Sequence, residues 1–139
     1  MKLNIGCGPT WRTYSDFEGL DKVDFGQTYK ADVEKGELRT LFAENSIDEI
    51  RAEHFLEHTV RHVDVVEDMV YILKPGGMLL IVVPGEKSPS HRAFGHYSFF
   101  DISTFETIVR EWYNTPLEIV KIVENERGDI HARYQKKVL

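Results

Sequence analysis

The stretch Lys74 to Pro84, KPGGMLLIVVP, decides the fold. From Met78 to Pro84 it is an unbroken apolar run of strand length, the pattern of a strand covered on both faces and hence of a parallel sheet. Upstream, Val60, Val63, Val66, Met69, Val70 and Leu73 recur at steps of three and four residues. That spacing marks one face of an amphipathic helix, expected to end at the proline and glycines of KPGG. Before it, SIDEIRAE (46–53) alternates apolar and polar residues like a strand. Strand, helix and buried strand in succession make a layered α/β unit.

Further upstream, KLNI (2–5) is a short strand stopped by the turn GCGP. FEGLDKV (17–23) and TYKADV (28–33) are two more strand candidates, with Asp21 and Asp32 at or near their ends. Downstream, GEKSPSHRAFGHYS (85–98) reads as a long loop, a length usually reserved for function or mobility. Ser103 followed by Glu106 predicts a capping box opening a helix whose apolar face is Phe105, Ile108, Val109 and Trp112. LEIVKIV (117–123) and IHARYQKKVL (130–139) are strands separated by ENERGD, with Gly128 available for positive φ. The expected architecture is one α/β domain over residues 1–139, with a mainly parallel sheet and a C-terminal antiparallel hairpin.

The chain has 139 residues, enough to bury roughly two thirds of its unfolded surface without a staple. Hydrophobic residues make up 42% and charged residues 29%, and no apolar run approaches the roughly 18 residues that span a bilayer. The first ten residues are too poor in apolar side chains for a signal peptide, so a cytoplasmic protein is expected. The single cysteine, Cys7, excludes an intramolecular disulfide and a multi-cysteine zinc cluster. A net charge of -6 lacks the basic face that nucleic-acid binders carry.

In an open parallel sheet, ligands bind beyond the carboxyl ends of the strands. Gly6 and Gly8 end the first strand, where missing side chains admit a ligand to the backbone, although two glycines also suit a structural turn. Asp21 ends the second strand, where a carboxylate can accept the protons of two ribose hydroxyls. Asp32 ends the third and can accept from an exocyclic amine. Three ligand-facing features at three consecutive strand ends point to a nucleoside-bearing cofactor. The turn reads G-C-G-P-T-W, so Trp11 stands where a dinucleotide fingerprint has its third glycine, which disfavours a nicotinamide oxidoreductase.

The residues LNIGCGPT (3–10), GLDKVD (19–24), ADVEKGELRTLFAENSIDEIRAEHFLEHT (31–59) and ILKPGGMLLIVVP (72–84) resemble the class I S-adenosylmethionine-dependent methyltransferases, in particular their small methyltransferase-type-11-like branch. HYSFFDISTFETIVREWY (96–113) resembles, more loosely, the family's helix after the fifth strand. The resemblance implies a Rossmann-like sheet of seven strands with the last antiparallel, and methyl transfer from S-adenosylmethionine. It implies that Gly6, Cys7 and Gly8 line the methionine part chiefly through backbone. It places Asp21 on the ribose with Lys22 beside it, Asp32 and Val33 at the adenine, and Glu53 and His54 near the sulfonium and the acceptor. Only twelve residues separate Gly8 from Asp21, so the first crossover helix is reduced. That reduction, and the few residues before the first strand, leave the pocket open, to be covered by the loop 85–97, a second copy or a partner subunit.

S-adenosylmethionine carries its methyl group already activated, so the protein needs mainly to position and dehydrate the acceptor. Where the acceptor is a hydroxyl, an imidazole suits as general base, and His54 and His96 are the candidates, each of which also reads as a structural histidine. Tyr97, Phe99 and Phe100 form an aromatic wall over the acceptor or pack the last helix. The Asn/Asp-Pro-Pro-Tyr/Phe string of enzymes that methylate planar amino groups is absent after the fourth strand, where AEHFLEH stands. A small-molecule or sugar-like acceptor is therefore expected, the alternative being a catalytically silent cofactor-binding protein or accessory subunit. His54, Glu57 and His58 also spell H-x-x-E-H, a zinc-hydrolase signature. At a strand-to-helix junction the two imidazoles need not share a face, and zinc would need a third ligand from another element, so no metal is expected.

Overall fold

The computed structural model describes residues 1–138; Leu139, the last residue of the expected final strand, lies outside the described residues. Seven strands form one sheet: β1 (Lys2–Ile5), β2 (Glu18–Asp21), β3 (Tyr29–Lys30), β4 (Ile47–Glu53), β5 (Leu73–Pro84), β6 (Leu117–Glu124) and β7 (Asp129–Lys136). Their order is β3-β2-β1-β4-β5-β7-β6, parallel throughout except for β7, which runs antiparallel to both β5 and β6. The helices are α1 (Glu37–Leu41), α2 (His62–Ile72) and α3 (Ile102–Glu111), with 3-10 turns at Trp11–Thr13, Val33–Lys35 and Leu56–His58. The α/β, Rossmann-like expectation, with its antiparallel C-terminal hairpin, holds. So does the reduced first crossover, since only the turn Trp11–Thr13 lies between β1 and β2.

β5 is the hub. Leu79 to Val83 are each at most 3% exposed, with parallel β4 on one side and antiparallel β7 on the other. Its unbroken apolar run is the consequence of burial on both faces. KPGG does not separate α2 from the strand as expected; α2 ends at Ile72 and β5 already begins at Leu73. Leu73 pairs with Ile47, and pairing resumes only at Met78 with Glu49, so KPGG is taken up as a bulge. Gly77 is confined there, because a Cβ would lie 2.8 Å from the Lys74 carbonyl and 2.9 Å from that of Asp48.

The apolar stripe of α2 is shifted from the expected one. Val65, Val66, Met69, Val70 and Ile72 are buried, whereas Val60 and Val63 are 67% and 59% exposed. The turn Leu56–His58 and extended Thr59 consume the residues before His62, so Val60 precedes the helix and Val63 falls on its outer side. The last carbonyls of α2 are met by Lys136, whose buried ammonium donates to the carbonyls of Val70 and Leu73 and to Asn45. A cation at a helix C-terminus satisfies both the free carbonyls and the dipole.

α3 starts earlier than Ser103 and Glu106 suggested. Its N-cap is Asp101, whose carboxylate accepts from the Thr104 amide at 3.0 Å, while the Thr104 hydroxyl accepts from the Asp101 amide at 3.2 Å. Phe105 is fully buried, Ile108, Val109 and Trp112 pack against the core, and the buried Tyr134 hydroxyl donates to the Phe105 carbonyl at 2.6 Å. No helix of the described residues is long and apolar enough to cross a membrane.

Candidate functional site

The order β3-β2-β1-β4-β5 reverses direction between β1 and β4, and a crevice opens at that switch point beyond the strands' carboxyl ends. A cleft of about 230 Å³ lies there. It brings together Gly6, Asp21, Lys22, Asp32, Val33 and His54 from the sequence reading, and adds Leu20, Ala31, Glu34, Phe55, His58 and Thr59. Cys7, Gly8, Glu53 and His96 do not line it.

The glycine turn folds back onto β2. The amides of Gly6 and Cys7 both donate to the Leu20 carbonyl, at 2.8 and 3.2 Å, and Gly8 donates to Asp21 Oδ2 at 3.1 Å. Gly6 has φ +68°, and a Cβ there would fall 2.3 Å from Cδ1 of Phe55, so the ring of Phe55 occupies the place of the missing side chain. Gly8, at φ +63°, has nothing within 4 Å of a Cβ position and leaves its backbone open to a ligand. The Cys7 thiol is directed back toward Gly19 rather than into the cleft; burial, with the Asp21 charge adding, pushes it up to about 11.

Asp21 is positioned by two amides, Gly8 on Oδ2 and Val23 on Oδ1 at 3.0 Å. Each carboxylate oxygen keeps a second lone pair, so the group can still accept from two hydroxyls. Asp32 is anchored differently. It caps the turn Val33–Lys35 by accepting from the Glu34 amide at 3.0 Å, and its own amide donates to Glu37. Glu34 reaches across the cleft's edge, where its carboxylate accepts from the amides of Val60 and Arg61 at 2.6 and 3.1 Å. It thereby holds the Thr59–Arg61 segment against the end of β3.

His54 follows β4 with φ +51°, a left-handed conformation rare for a residue with a Cβ. Its amide donates to the Val82 carbonyl at 2.8 Å, fixing the residue between β4 and β5 while its half-exposed ring borders the cleft. Nδ1 lies 3.7 Å from a Glu57 oxygen and Nε2 lies 3.8 Å from one of Asp129. The Glu57 carboxylate chiefly, with Asp129 and Glu53 adding, raises the imidazole above its ordinary value against the opposing effect of burial. Glu53 points elsewhere, accepting from Tyr14 at 2.8 Å and Arg51 at 2.6 Å. Burial acts to raise its carboxyl, but these two hydrogen bonds outweigh it and hold the group below the usual range.

The loop 85–98 is tied to the same corner, with the amides of Tyr97 and Ser98 donating to the Glu57 carbonyl. His96 is turned against His58, ring centroids 4.6 Å apart. Of the expected aromatic wall, Phe100 is core, packed on Phe105, while Tyr97 and Phe99 are exposed. Phe55, His58 and Thr59 had one sequence signal, the string AEHFLEHT leaving the fourth strand. Their approach to Gly6 comes from folding alone.

A family model described as a methyltransferase domain matches residues 3–81, more than half of the chain. No curated protein matches by sequence. Among solved structures, a SAM dependent methyltransferase from Archaeoglobus fulgidus is similar with TM-score 0.73 and 15% identity, covering 97% of this chain and 85% of that one. A chain of the complex between the Haloferax volcanii Trm112 methyltransferase activator and a methyltransferase is similar with TM-score 0.68 and 12% identity, covering 99% and 82%. The [4+2]-cyclase SpnF is similar with TM-score 0.68 and 12% identity, covering 99% and 74%. At these identities the likeness is one of fold, and a cyclase on the same fold illustrates that fold alone does not specify the reaction.

Proposed function

The chain belongs to the methyltransferase-domain family, and from that premise we propose that it binds S-adenosylmethionine in the cleft at the switch point and transfers the methyl group to a small-molecule or sugar-like acceptor. The observation that carries this reading is the pairing of the glycine turn with Asp21. The Gly8 amide orients a carboxylate at the end of β2 with lone pairs to spare, beside a backbone open to a ligand. Asp21 takes the ribose hydroxyls, Lys22 lies beside them, and Asp32 with Val33 faces the adenine end. The backbone of Gly6 to Gly8 takes the methionine end. S-adenosylmethionine, when bound, supplies a methyl group on a positively charged sulfur, ready for displacement. His54, on the cleft's border between Glu57 and Asp129, contacts the acceptor.

Calorimetry with S-adenosylmethionine and S-adenosylhomocysteine tests the reading. Both should bind, and Asp21→Ala should weaken each about 10- to 100-fold, the worth of hydrogen bonds to a charged group. His54→Ala should leave that affinity within about twofold and reduce turnover of the acceptor. No binding of either compound at millimolar concentration would sink the proposal. Binding with no turnover across a broad acceptor panel would instead identify a catalytically silent cofactor-binding subunit, a role that the open side left by the reduced first crossover also suits.

A further inference from the structure

Beside the cleft, on the far side of His58, three side chains from two separate segments converge. Glu57 and His58 come from the turn after β4, and His96 comes from the loop after β5. One ligand atom from each lies within 4.8 Å of the others. Glu57 is 1% exposed, yet its Oε1 has no hydrogen-bond partner, and neither has the buried Nδ1 of His96; among the described residues only Arg51 Nε shares that condition. A buried carboxylate oxygen and a buried imidazole nitrogen left without partners on two side chains of one cluster are costly unless something unites them.

The surroundings look built rather than accidental. His58 Nδ1 is 3.1 Å from the Gly95 carbonyl, which can only accept, so Nδ1 carries the proton and the Nε2 lone pair is left free. This is the arrangement by which metal-ligating histidines are oriented. The loop that brings His96 is pinned by the amides of Tyr97 and Ser98 on the Glu57 carbonyl, so the backbone of one ligand fixes the position of another. Donors around a tetrahedral ion with bonds of about 2.0 to 2.2 Å are about 3.4 Å apart, so closing the site from a spread of 4.8 Å needs movements of about 1 Å shared among the three side chains.

We propose that Glu57, His58 and His96 hold a divalent first-row transition metal ion such as zinc, at the margin of the cleft beside His54. Two imidazoles and one carboxylate favour such an ion over magnesium or calcium, which prefer oxygen ligands throughout. Three protein ligands leave coordination positions for water or a substrate oxygen. The H-x-x-E-H string thus contributes Glu57 and His58 as ligands. His54 stays outside the ligand set, and the remaining ligand comes from 38 positions further along the chain than His58.

The test uses the untagged full chain, freed of metal by chelation and titrated calorimetrically with Zn²⁺, Co²⁺ and Mg²⁺. One Zn²⁺ or Co²⁺ per chain should bind, with Mg²⁺ at least about 100-fold weaker, and bound Co²⁺ should show the visible absorption of imidazole coordination. His96→Ala and His58→Ala should each weaken Zn²⁺ at least about 100-fold, more than loss of an outer-shell partner costs. His96 does not line the cleft, so the affinity of His96→Ala for S-adenosylhomocysteine should be unchanged, which separates failure of the metal site from failure of the cofactor reading. Glu57→Gln, of nearly the same shape, serves should either alanine variant misfold. Absence of a stoichiometric ion in the parent chain, or equal Zn²⁺ affinity in the variants, would overturn the proposal.

Discussion

Gly6 shows how narrowly one residue can be specified. Its φ of +68° is strained for any residue with a Cβ, and Phe55 fills the space a Cβ would need. Gly6→Ala should therefore cost about 2–4 kcal/mol from backbone strain and overpacking combined. Chemical denaturation would measure it, and an unchanged midpoint would contradict the geometry. Cys7, next to it, is a different case. With its thiol pushed up to about 11, alkylation by iodoacetamide at pH 8 should be about 100-fold slower than for a free thiol, or slower still given its burial. The folded value lies above the ordinary 9.0, so the thiol's contribution to stability is complete below 9.0 and is lost as pH rises toward 11. Denaturant midpoints from pH 8 to 11, compared with those of Cys7→Ala, would read it. Gly6 and Asp21 are legible as residue types in a pattern, whereas Phe55 against Gly6 and the thiol's direction are not, since neither is set by local spacing.

The capping of α3 shows a limit of local signals. A serine or threonine three residues before a glutamate is a fair start signal, yet Asp101, two residues before Ser103, wins because its carboxylate also accepts from the hydroxyls of Ser103 and Thr104. Asp101→Ala should lower stability by about 1 kcal/mol, with Ser103→Ala costing less. The hydrogen bonds from Ser103 and Thr104 hold the Asp101 carboxyl below its ordinary 3.8. Its share of stability is therefore present above that value and is lost as pH falls through the lowered one. Thermal melts of parent and variant should accordingly converge in acid; a gap that persists there would assign the effect to something other than the cap. In α2 the period of the apolar residues was readable but its phase was not. Whether Val63 or Val65 faced the sheet depended on where the helix began, and that was settled by the preceding turn and by Glu34 receiving the amides of Val60 and Arg61.

At the scale of the molecule, β5 is paired on both sides and buried along Leu79 to Val83, whereas β3 has two residues at an edge and the 85–98 loop belongs to no strand or helix. Native-state hydrogen exchange should follow that gradient. Amides of β5 should exchange only through global unfolding, at least about 1000-fold more slowly than those of the loop. If the 94–98 amides slow when Zn²⁺ is added and those of β3 do not, the change will have been localised to the corner where Glu57, His58 and His96 meet.

By itself the sequence determined the architecture, because the constraints that set it are local or periodic. An unbroken apolar run requires cover on both faces, a glycine turn ends a strand, and too few residues between Gly8 and Asp21 leave no room for a full helix. It also placed Asp21 and Asp32 at strand ends, where the topology then put them beside one cleft. Only the tertiary structure decided which side chains meet. Glu53 turned toward Arg51 and Tyr14, Phe55 closed over Gly6, and His96 came to lie against His58 rather than over the cleft. These outcomes depend on contacts between segments that are distant along the chain, and on a 3-10 turn whose direction no periodicity encodes. The string AEHFLEHTV carried its chemistry in plain view, but the loop that supplies a third imidazole became its neighbour only through folding.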